Sequence, residues 1–224
     1  MSHTELSFAH LAKSEVASMN GLTRLCALGA LTVALGSAFG CGAARPSKYY
    51  QLTPPSGSTA NAVQDSLPVS LVLGSMMTSH LYREVRIVYS SEHEQMGTYE
   101  TERWSEPPVE MMQMVLLRKL RNSGRYRDVN TLRSGARGDY LLRGRLYDFK
   151  EVSGKSFVAR LSFDLELHET KTNGTVWTYT YSHDEPVSGK DVPSVVAALD
   201  RNVQRAAGDV AGALDQYFSA HPPK

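Results

Sequence analysis

The clearest pattern in the chain is an alternation of apolar and polar residues between positions 157 and 168. Apolar side chains occupy six successive odd positions from Phe157 to Leu167, and the even positions from Arg160 to His168 are polar or charged. A period of two is typical of a strand with one buried face and one solvated face. We therefore expect a long strand in a sheet that meets water on one side.

The segments on either side of this strand predict its neighbours. Asn173-Gly174 is a strong hairpin signal, and the alternation resumes after it. Upstream, residues 138–152 have strand character and lead into a turn at Ser153. The pattern thus predicts a central meander of three antiparallel strands, the last of which carries Trp177, Tyr179 and Tyr181.

Two stretches show the helical period of 3.6 residues. A shorter helix is predicted from Pro108 to Asn122, and a longer one from about Val192 to Tyr217. Asp191 is the expected N-cap of the longer helix. We expect Gly208 and Gly212 to let this helix lie close against the sheet.

Three further strands are predicted at 67–74, 83–91 and 97–104. In the second of these, Val85, Ile87 and Tyr89 are expected on one side. Together with the meander and the helices, these strands predict an α/β fold. It is a single layered domain with a mixed, mostly antiparallel sheet of about six strands packed by two main helices.

An apolar run near the N-terminus has the features of an export signal. Residues 25–44 are uncharged, which is nominally enough for a bilayer helix, but the strongly apolar part covers only residues 25–39. That length is typical of a signal-peptide core, and small residues follow it. We expect a signal peptide over residues 1–40, with translation starting at Met19 so that Arg24 supplies its positive charge. A membrane span is the alternative.

Cys41 is the candidate attachment site for a lipid. Cys26 lies within the signal, so the exported chain would keep one cysteine and could form no internal disulfide. Residues 38–41 resemble a bacterial lipobox, although Phe39 is bulkier than usual. We expect acyl chains, palmitate among them, at Cys41, and Gly42 indicates sorting to the outer membrane. A free thiol left by ordinary cleavage is the alternative.

A stretch rich in Pro, Ser and Gly follows Cys41. Residues 41–66 are predicted to be the lipidated N-terminus and a tether, because this composition cannot bury a core. Residues 67–224 are predicted to form one domain of ordinary size. Within the tether, two tyrosines and a leucine at 48–52 are expected to lay a short segment onto the domain.

Charge is balanced over the chain but uneven along it. The formal net charge is +1, whereas residues 84–110 hold seven glutamates and two arginines and residues 118–145 hold nine basic and two acidic residues. The favoured interpretation is solvated faces that partly neutralise each other. A basic surface for lipid head groups or an acidic partner is the alternative. No base-stacking aromatic pattern accompanies the arginines, so we expect no nucleic-acid binding.

No catalytic motif is complete. Residues 153–156 read Ser-Gly-Lys-Ser, but Phe149 stands where a phosphate loop needs its first glycine, and the context is strand–turn–strand. There is no Gly-x-Ser-x-Gly elbow, and the histidines after residue 79 are scattered singly. Clustered glutamates at 92–102 could flank a sugar cleft, but they fit a solvated strand surface as well. We expect no enzyme activity, no cofactor and no metal site.

The order of several segments resembles a known family. These segments are Cys41 followed by KYYQL at 48–52, YREVRIVY at 82–89, ERWSEP at 102–107, GDYLLRGRLYDF at 138–149 and the tail 186–214. In this order they resemble the ABC-type transport auxiliary lipoproteins, the outer-membrane component of paraquat-inducible-type MCE lipid-transport systems. The resemblance runs from Cys41 to the end of the last helix.

The resemblance implies a lipoprotein on the periplasmic face of the outer membrane that does no chemistry. An inner-membrane ATPase and permease would supply the energy, and MCE-domain proteins would form a channel through the periplasm. This chain would hold the far end of that channel, and a homo-oligomer is left open. Two rival functions are a structural envelope lipoprotein and a periplasmic lipid-binding module, which would need a large apolar cavity.

The expected contact region for the partner lies in the segments at 82–89 and 102–107. Trp104 is the leading candidate because tryptophans dominate binding hot spots. Arg103, Tyr82 and Arg83 are expected to contribute. A core-capping role for Trp104 is the alternative.

Overall fold

The computed structural model describes residues 45–56, 66–91 and 95–223, so the predictions on the signal peptide, Met19 and Cys41 lie outside the described residues. The described residues form nine strands and two α-helices. In chain order these are β1 (Lys48–Tyr50), β2 (Leu67–Leu73), β3 (Met77–Thr78), β4 (Arg86–Ser91), β5 (Met96–Trp104), α1 (Pro108–Asn122), β6 (Tyr126–Thr131), β7 (Tyr140–Ser153), β8 (Phe157–Glu169), β9 (Gly174–Pro186) and α2 (Val192–Ala220).

Strand β7 organises the sheet because both of its edges are paired. One edge runs antiparallel to β8 along the full length of β7. The other edge pairs in parallel with β2, then with β3 and then with β4. Beyond these, β5 and β1 extend the sheet on the β4 side, and β6 extends it on the β2 side.

The predicted α/β class is confirmed, and so is the meander. β8 pairs antiparallel with β7 on one side and with β9 on the other, in two long ladders. The turn that connects β8 to β9 contains Asn173, which adopts a positive φ of 54°. The described sheet has nine strands rather than about six, and five short ladders are parallel. The alternation of residues did not reveal these ladders, because it indicates which face of a strand is buried and not which strand lies beside it.

The two helices cover the apolar face of the sheet. The odd positions of β8 from Ala159 to Leu167 are at most 4% exposed. Helix α1 has the predicted bounds, and α2 begins at Val192 as predicted, with the Asp191 carboxylate accepting the Ser194 backbone N–H at 3.0 Å. Among the described helices, none is long and apolar enough to cross a membrane.

Two local predictions are wrong. In β4, Ile87 and Val88 are both buried while Tyr89 is 38% exposed, because the ladder with β5 shifts register between Arg86 and Val88. The Cα atoms of Gly208 and Gly212 face open space, with nothing within 4 Å of an added Cβ. The small residues that α2 buries are instead Ala198, Ala206 and Ala207.

A buried asparagine fastens α2 to the meander. Asn202 is 0% exposed, and its Nδ2 donates to the carbonyl oxygens of Ala159 at 3.0 Å and His183 at 2.9 Å. Its Oδ1 accepts the Tyr181 hydroxyl at 2.8 Å. Because buried polar groups are costly without partners, these three bonds hold the helix at one position on β8 and β9.

We expect Asn202→Ala to lower the free energy of unfolding by about 2–3 kcal/mol, because it removes the three hydrogen bonds that this buried side chain makes. Urea unfolding monitored by circular dichroism would measure this loss. Gln216→Ala, at an exposed position of the same helix, is the matched control and should change stability by less than about 0.5 kcal/mol. Equal effects of the two substitutions would contradict the role assigned to Asn202.

Candidate partner-binding site

Strand β1 adds the N-terminal segment to the edge of the sheet. It runs parallel to β5, with Lys48 opposite Glu102 and Tyr50 opposite Trp104. The Ser105 N–H donates to the Tyr50 carbonyl at 2.7 Å. The Glu102 carboxylate also accepts the Tyr50 hydroxyl at 2.7 Å and the Lys48 ammonium at 3.2 Å.

The bond between Tyr50 and Glu102 is charge-assisted at neutral pH. The Tyr50 hydroxyl, followed by Lys48, holds the pKa of Glu102 below its ordinary value. Burial, with the Glu102 bond second, raises the pKa of Tyr50 to about 12. The carboxylate is therefore ionised and the phenol protonated, which is the combination that gives the stronger kind of hydrogen bond.

The chain then crosses both helices. Leu52 is 5% exposed and joins the core. The Thr53 N–H donates to Asp200 at 2.9 Å and its carbonyl accepts from Gln204 at 2.7 Å, both on α2. The Ser56 carbonyl accepts from Asn122 at the end of α1 at 3.2 Å. The expected docking of residues 48–52 is confirmed, and the compact unit begins at Pro46.

Two of the predicted partner-binding side chains lie beneath the surface. Trp104 is 1% exposed and packs edge-to-face on Phe149, with ring centroids 5.3 Å apart. Tyr82 is also 1% exposed, and burial raises its pKa to about 12 against an opposing effect of the Phe149 backbone. Both aromatic rings therefore support the segments at 82–86 and 102–104 from inside.

Of the two predicted arginines, Arg83 is exposed, and Arg103, which precedes Trp104 in β5, is half-buried. The Arg103 guanidinium donates to the Ser47 hydroxyl at 3.3 Å, and that of Arg83 donates to the Thr78 carbonyl at 3.3 Å. The structure thus brings all four predicted residues together around β4 and β5. Partner binding by them stays a prediction.

Sequence reasoning missed a row of side chains that includes Arg103. Tyr49, Arg103 and Arg86 share one register across β1, β5 and β4. Like charges directly opposite each other in a ladder repel. Among the described residues, the nearest carboxylate to the Arg86 guanidinium is that of Glu84, at 3.9 Å. The row is therefore suited to an anionic partner, and only the parallel pairing of β1 with β5 makes it visible.

The described residues contain no group of three or more His, Cys, Asp or Glu side chains placed to hold a metal ion. Of the glutamates considered for a sugar cleft, Glu102 is bound to Tyr50 and Lys48. Its pKa is lowered rather than raised, which does not fit a general acid.

Two substitutions can distinguish the structural role of Trp104 from the role of its neighbour Arg103. We expect Trp104→Ala to cost about 3–5 kcal/mol of unfolding free energy, because it removes a fully buried ring. Arg103→Ala should stay within about 0.5 kcal/mol of wild type, as surface substitutions usually do. Urea unfolding monitored by circular dichroism would measure both values, and similar losses for the two variants would contradict this assignment.

The fold is similar to solved structures of low sequence identity. Protein XCC0632 from Xanthomonas campestris, of family DUF330, has a TM-score of 0.68 and 16% identity, over 77% of this chain and 98% of that one. A second, uncharacterized protein has a TM-score of 0.60 and 13% identity, over 75% of this chain and 99% of that one. At these identities the likeness shows the fold alone.

No curated protein in the comparison matches the chain. Residues 50–211, however, match the family described as the ABC-type transport auxiliary lipoprotein component. The match begins at the end of β1 and ends within α2, so it includes β2 to β9, α1 and most of α2. The chain belongs to the ABC-type transport auxiliary lipoprotein family.

Proposed function

We propose that the chain is a non-catalytic component of an ABC/MCE-type lipid-transport system, anchored in the outer membrane through an acylated Cys41. In this function it faces the periplasm and docks the far end of a channel built from MCE-domain proteins. Its link to the inner-membrane permease and ATPase is indirect, through that channel. The observation that carries the proposal is the family match over residues 50–211, which spans nearly all of the folded unit.

The packing of the core argues against the rival function of a lipid carrier. The apolar cavity between α1, α2 and β8 has a volume of about 20 Å³. A cavity of about 10–15 Å³ is the smallest that holds a water molecule, so this cavity holds about one. The cavity therefore has no room for an acyl chain. It is lined by Met76, Met112, Leu116, Phe163, Leu165, Val203, Ala206, Ala207 and Val210.

The proposed docking surface for the channel consists of Arg83 and Arg103. Arg83 is exposed and Arg103 is half-buried, while the buried rings of Tyr82 and Trp104, next to them in the chain, fix the backbone that carries them. A surface held by a packed core loses less conformational entropy when it binds than a mobile one does. The positive charge of the surface calls for an acidic patch on the MCE-domain partner.

The first test is a crosslinking pull-down from membranes, comparing wild type with Cys41→Ser. We expect MCE-domain proteins to co-purify with the wild type, and we expect Cys41→Ser to leave the outer-membrane fraction because it has lost its acyl chains. If no MCE-domain protein is captured while the chain stays bound to the membrane, the lipoprotein assignment stands and the transport function fails. That result would favour a structural envelope lipoprotein.

Charge reversal tests the docking surface. We expect Arg83→Glu with Arg103→Glu to reduce capture of the MCE-domain partner about tenfold or more, because like charges across an interface cost several kcal/mol. Arg133→Glu with Arg137→Glu is the matched control. Both residues are exposed and follow β6, which is the last strand in the order β1-β5-β4-β7-β2-β6 and so lies far from β5. Undiminished capture by the first pair, or equal loss in both pairs, would contradict the assignment.

A further inference from the structure

The chain between the anchor and the folded unit is short. Ser47 is bonded to Arg103 and Lys48 begins the ladder with β5. Only residues 42–46 then lie between Cys41 and Ser47. The six steps along the chain from Cys41 to Ser47 span at most about 22 Å when fully extended. A folded unit of the size of Pro46–Lys224 is roughly 40 Å across, from the scaling of radius of gyration with length.

This difference in length limits which side of the protein can meet the bilayer. If Cys41 is acylated, as the proposed function requires, Lys48 must lie within about 25 Å of the membrane surface. If all of residues 41–66 formed a tether, as the sequence predicts, these 26 residues would leave the domain free to turn relative to the membrane. With residues 48–56 docked on the fold, the side that carries β1 is held next to the lipid.

The exposed side chains at this side have the chemistry of a membrane interface. Tyr49 is 65% exposed, the highest value among the large apolar side chains of the described residues. Aromatic residues of this kind concentrate at the level of lipid head groups. The Lys48 side chain is 68% exposed, and Arg45 lies three positions earlier in the chain. Basic residues near a membrane surface are attracted to anionic lipids.

The charge around Tyr49 is positive overall. Residues 45–49, 83–86 and 100–103 contain five basic and three acidic residues, a net charge of +2. One of the acids, Glu102, has a side chain only 13% exposed and is bound to Lys48 and Tyr50. The basic residues are Arg45, Lys48, Arg83, Arg86 and Arg103, and the other acids are Glu84 and Glu100.

We propose that Lys48 and Tyr49, here named the β1 edge, form a membrane-contact surface for anionic lipid head groups, to which Arg45 adds its charge as part of the chain that leads to Cys41. The bilayer is the occupant because the short link to Cys41 leaves the β1 edge next to the lipid. The acyl chains and the β1 edge then act as two signals, which together hold the protein more firmly than either alone. Tyr49 and Arg103 share one register, so the proposed docking surface begins where the membrane contact ends.

The binding test uses the exported chain from residue 41 with Cys41→Ser, so that no acyl chain contributes. We expect this chain to co-sediment with vesicles of phosphatidylcholine and phosphatidylglycerol but not with phosphatidylcholine alone, and to dissociate at high salt. Each basic residue is worth about fivefold in membrane partition, so Arg45→Gln with Lys48→Gln should weaken binding about thirtyfold. Arg133→Gln with Arg137→Gln removes the same charge beside β6 and should have little effect.

An orientation test uses the same Cys41→Ser chain, which contains no other cysteine from residue 41 onward. A fluorophore is attached at Tyr49→Cys or, as the matched control, at Leu132→Cys. Leu132 is 56% exposed and directly follows β6. In the strand order β1-β5-β4-β7-β2-β6, β6 and β1 are the two ends. We expect lipids with nitroxide-labelled head groups to quench the label at position 49 and not the label at position 132. Thermal unfolding of each variant verifies that it is folded.

Three results would overturn the proposal. They are equal binding to both kinds of vesicle or to neither, equal weakening by the two double substitutions, and quenching at position 132 that matches or exceeds that at 49. A loss of MCE-domain capture by Arg45→Gln with Lys48→Gln, without vesicle binding by the unsubstituted β1 edge, would assign the edge to a protein instead. Because the vesicles contain no MCE-domain protein and the chain carries no lipid, these outcomes are independent of the pull-down that tests the proposed function.

Discussion

The pairing of both edges of β7 is the constraint on which the rest of the structure depends. β8 occupies one edge, and β2, β3 and β4 share the other, so most of the sheet is positioned relative to one strand. Gly144 lies opposite Leu165 in the ladder of β7 and β8, and an added Cβ there would collide with the carbonyl oxygen of Asp164. A side chain at this position would separate the ladder that carries the helices from the strands that carry the candidate site.

The same arrangement separates the two faces of the sheet from its edge at β1. Helices α1 and α2 close one face of the sheet over a cavity of only about 20 Å³. The other face carries polar side chains and ion pairs, among them the bidentate pair of Arg160 and Asp184 at 2.7 Å. On that face a groove of about 450 Å³ is lined largely by charged and polar side chains, among them Arg143, Asp164 and Glu166. The edge at β1 and β5 presents basic and aromatic side chains.

The sequence predicted the elements that bury one face along a regular period. β8, α1 and α2 are amphipathic over many turns or residues, so their pattern alone identifies them. β1 and β3 have three residues and two residues, which is too short for a period, and a register shift breaks the period in β4. Trp104 was correctly grouped with its neighbours along the chain, but its burial depends on Phe149, 45 positions later, and no local pattern reports that contact.

The parallel docking of β1 also decides how force would pass between a membrane anchor and a bound channel. A pull on residues 41–46 would reach the fold at Lys48 and act along β1, so the bonds to β5 would be loaded together in shear. Three residues make a short ladder, but Leu52 is buried behind it and Thr53 is bonded to α2. The contacts of Leu52 and Thr53 would therefore bear the load after β1 does. The hydrogen bond from the Tyr50 hydroxyl to the Glu102 carboxylate is a further bond between β1 and β5. Arg103 lies on the β5 strand that receives this load, so an anchor at Cys41 and a partner at Arg103 would be joined across one strand pair.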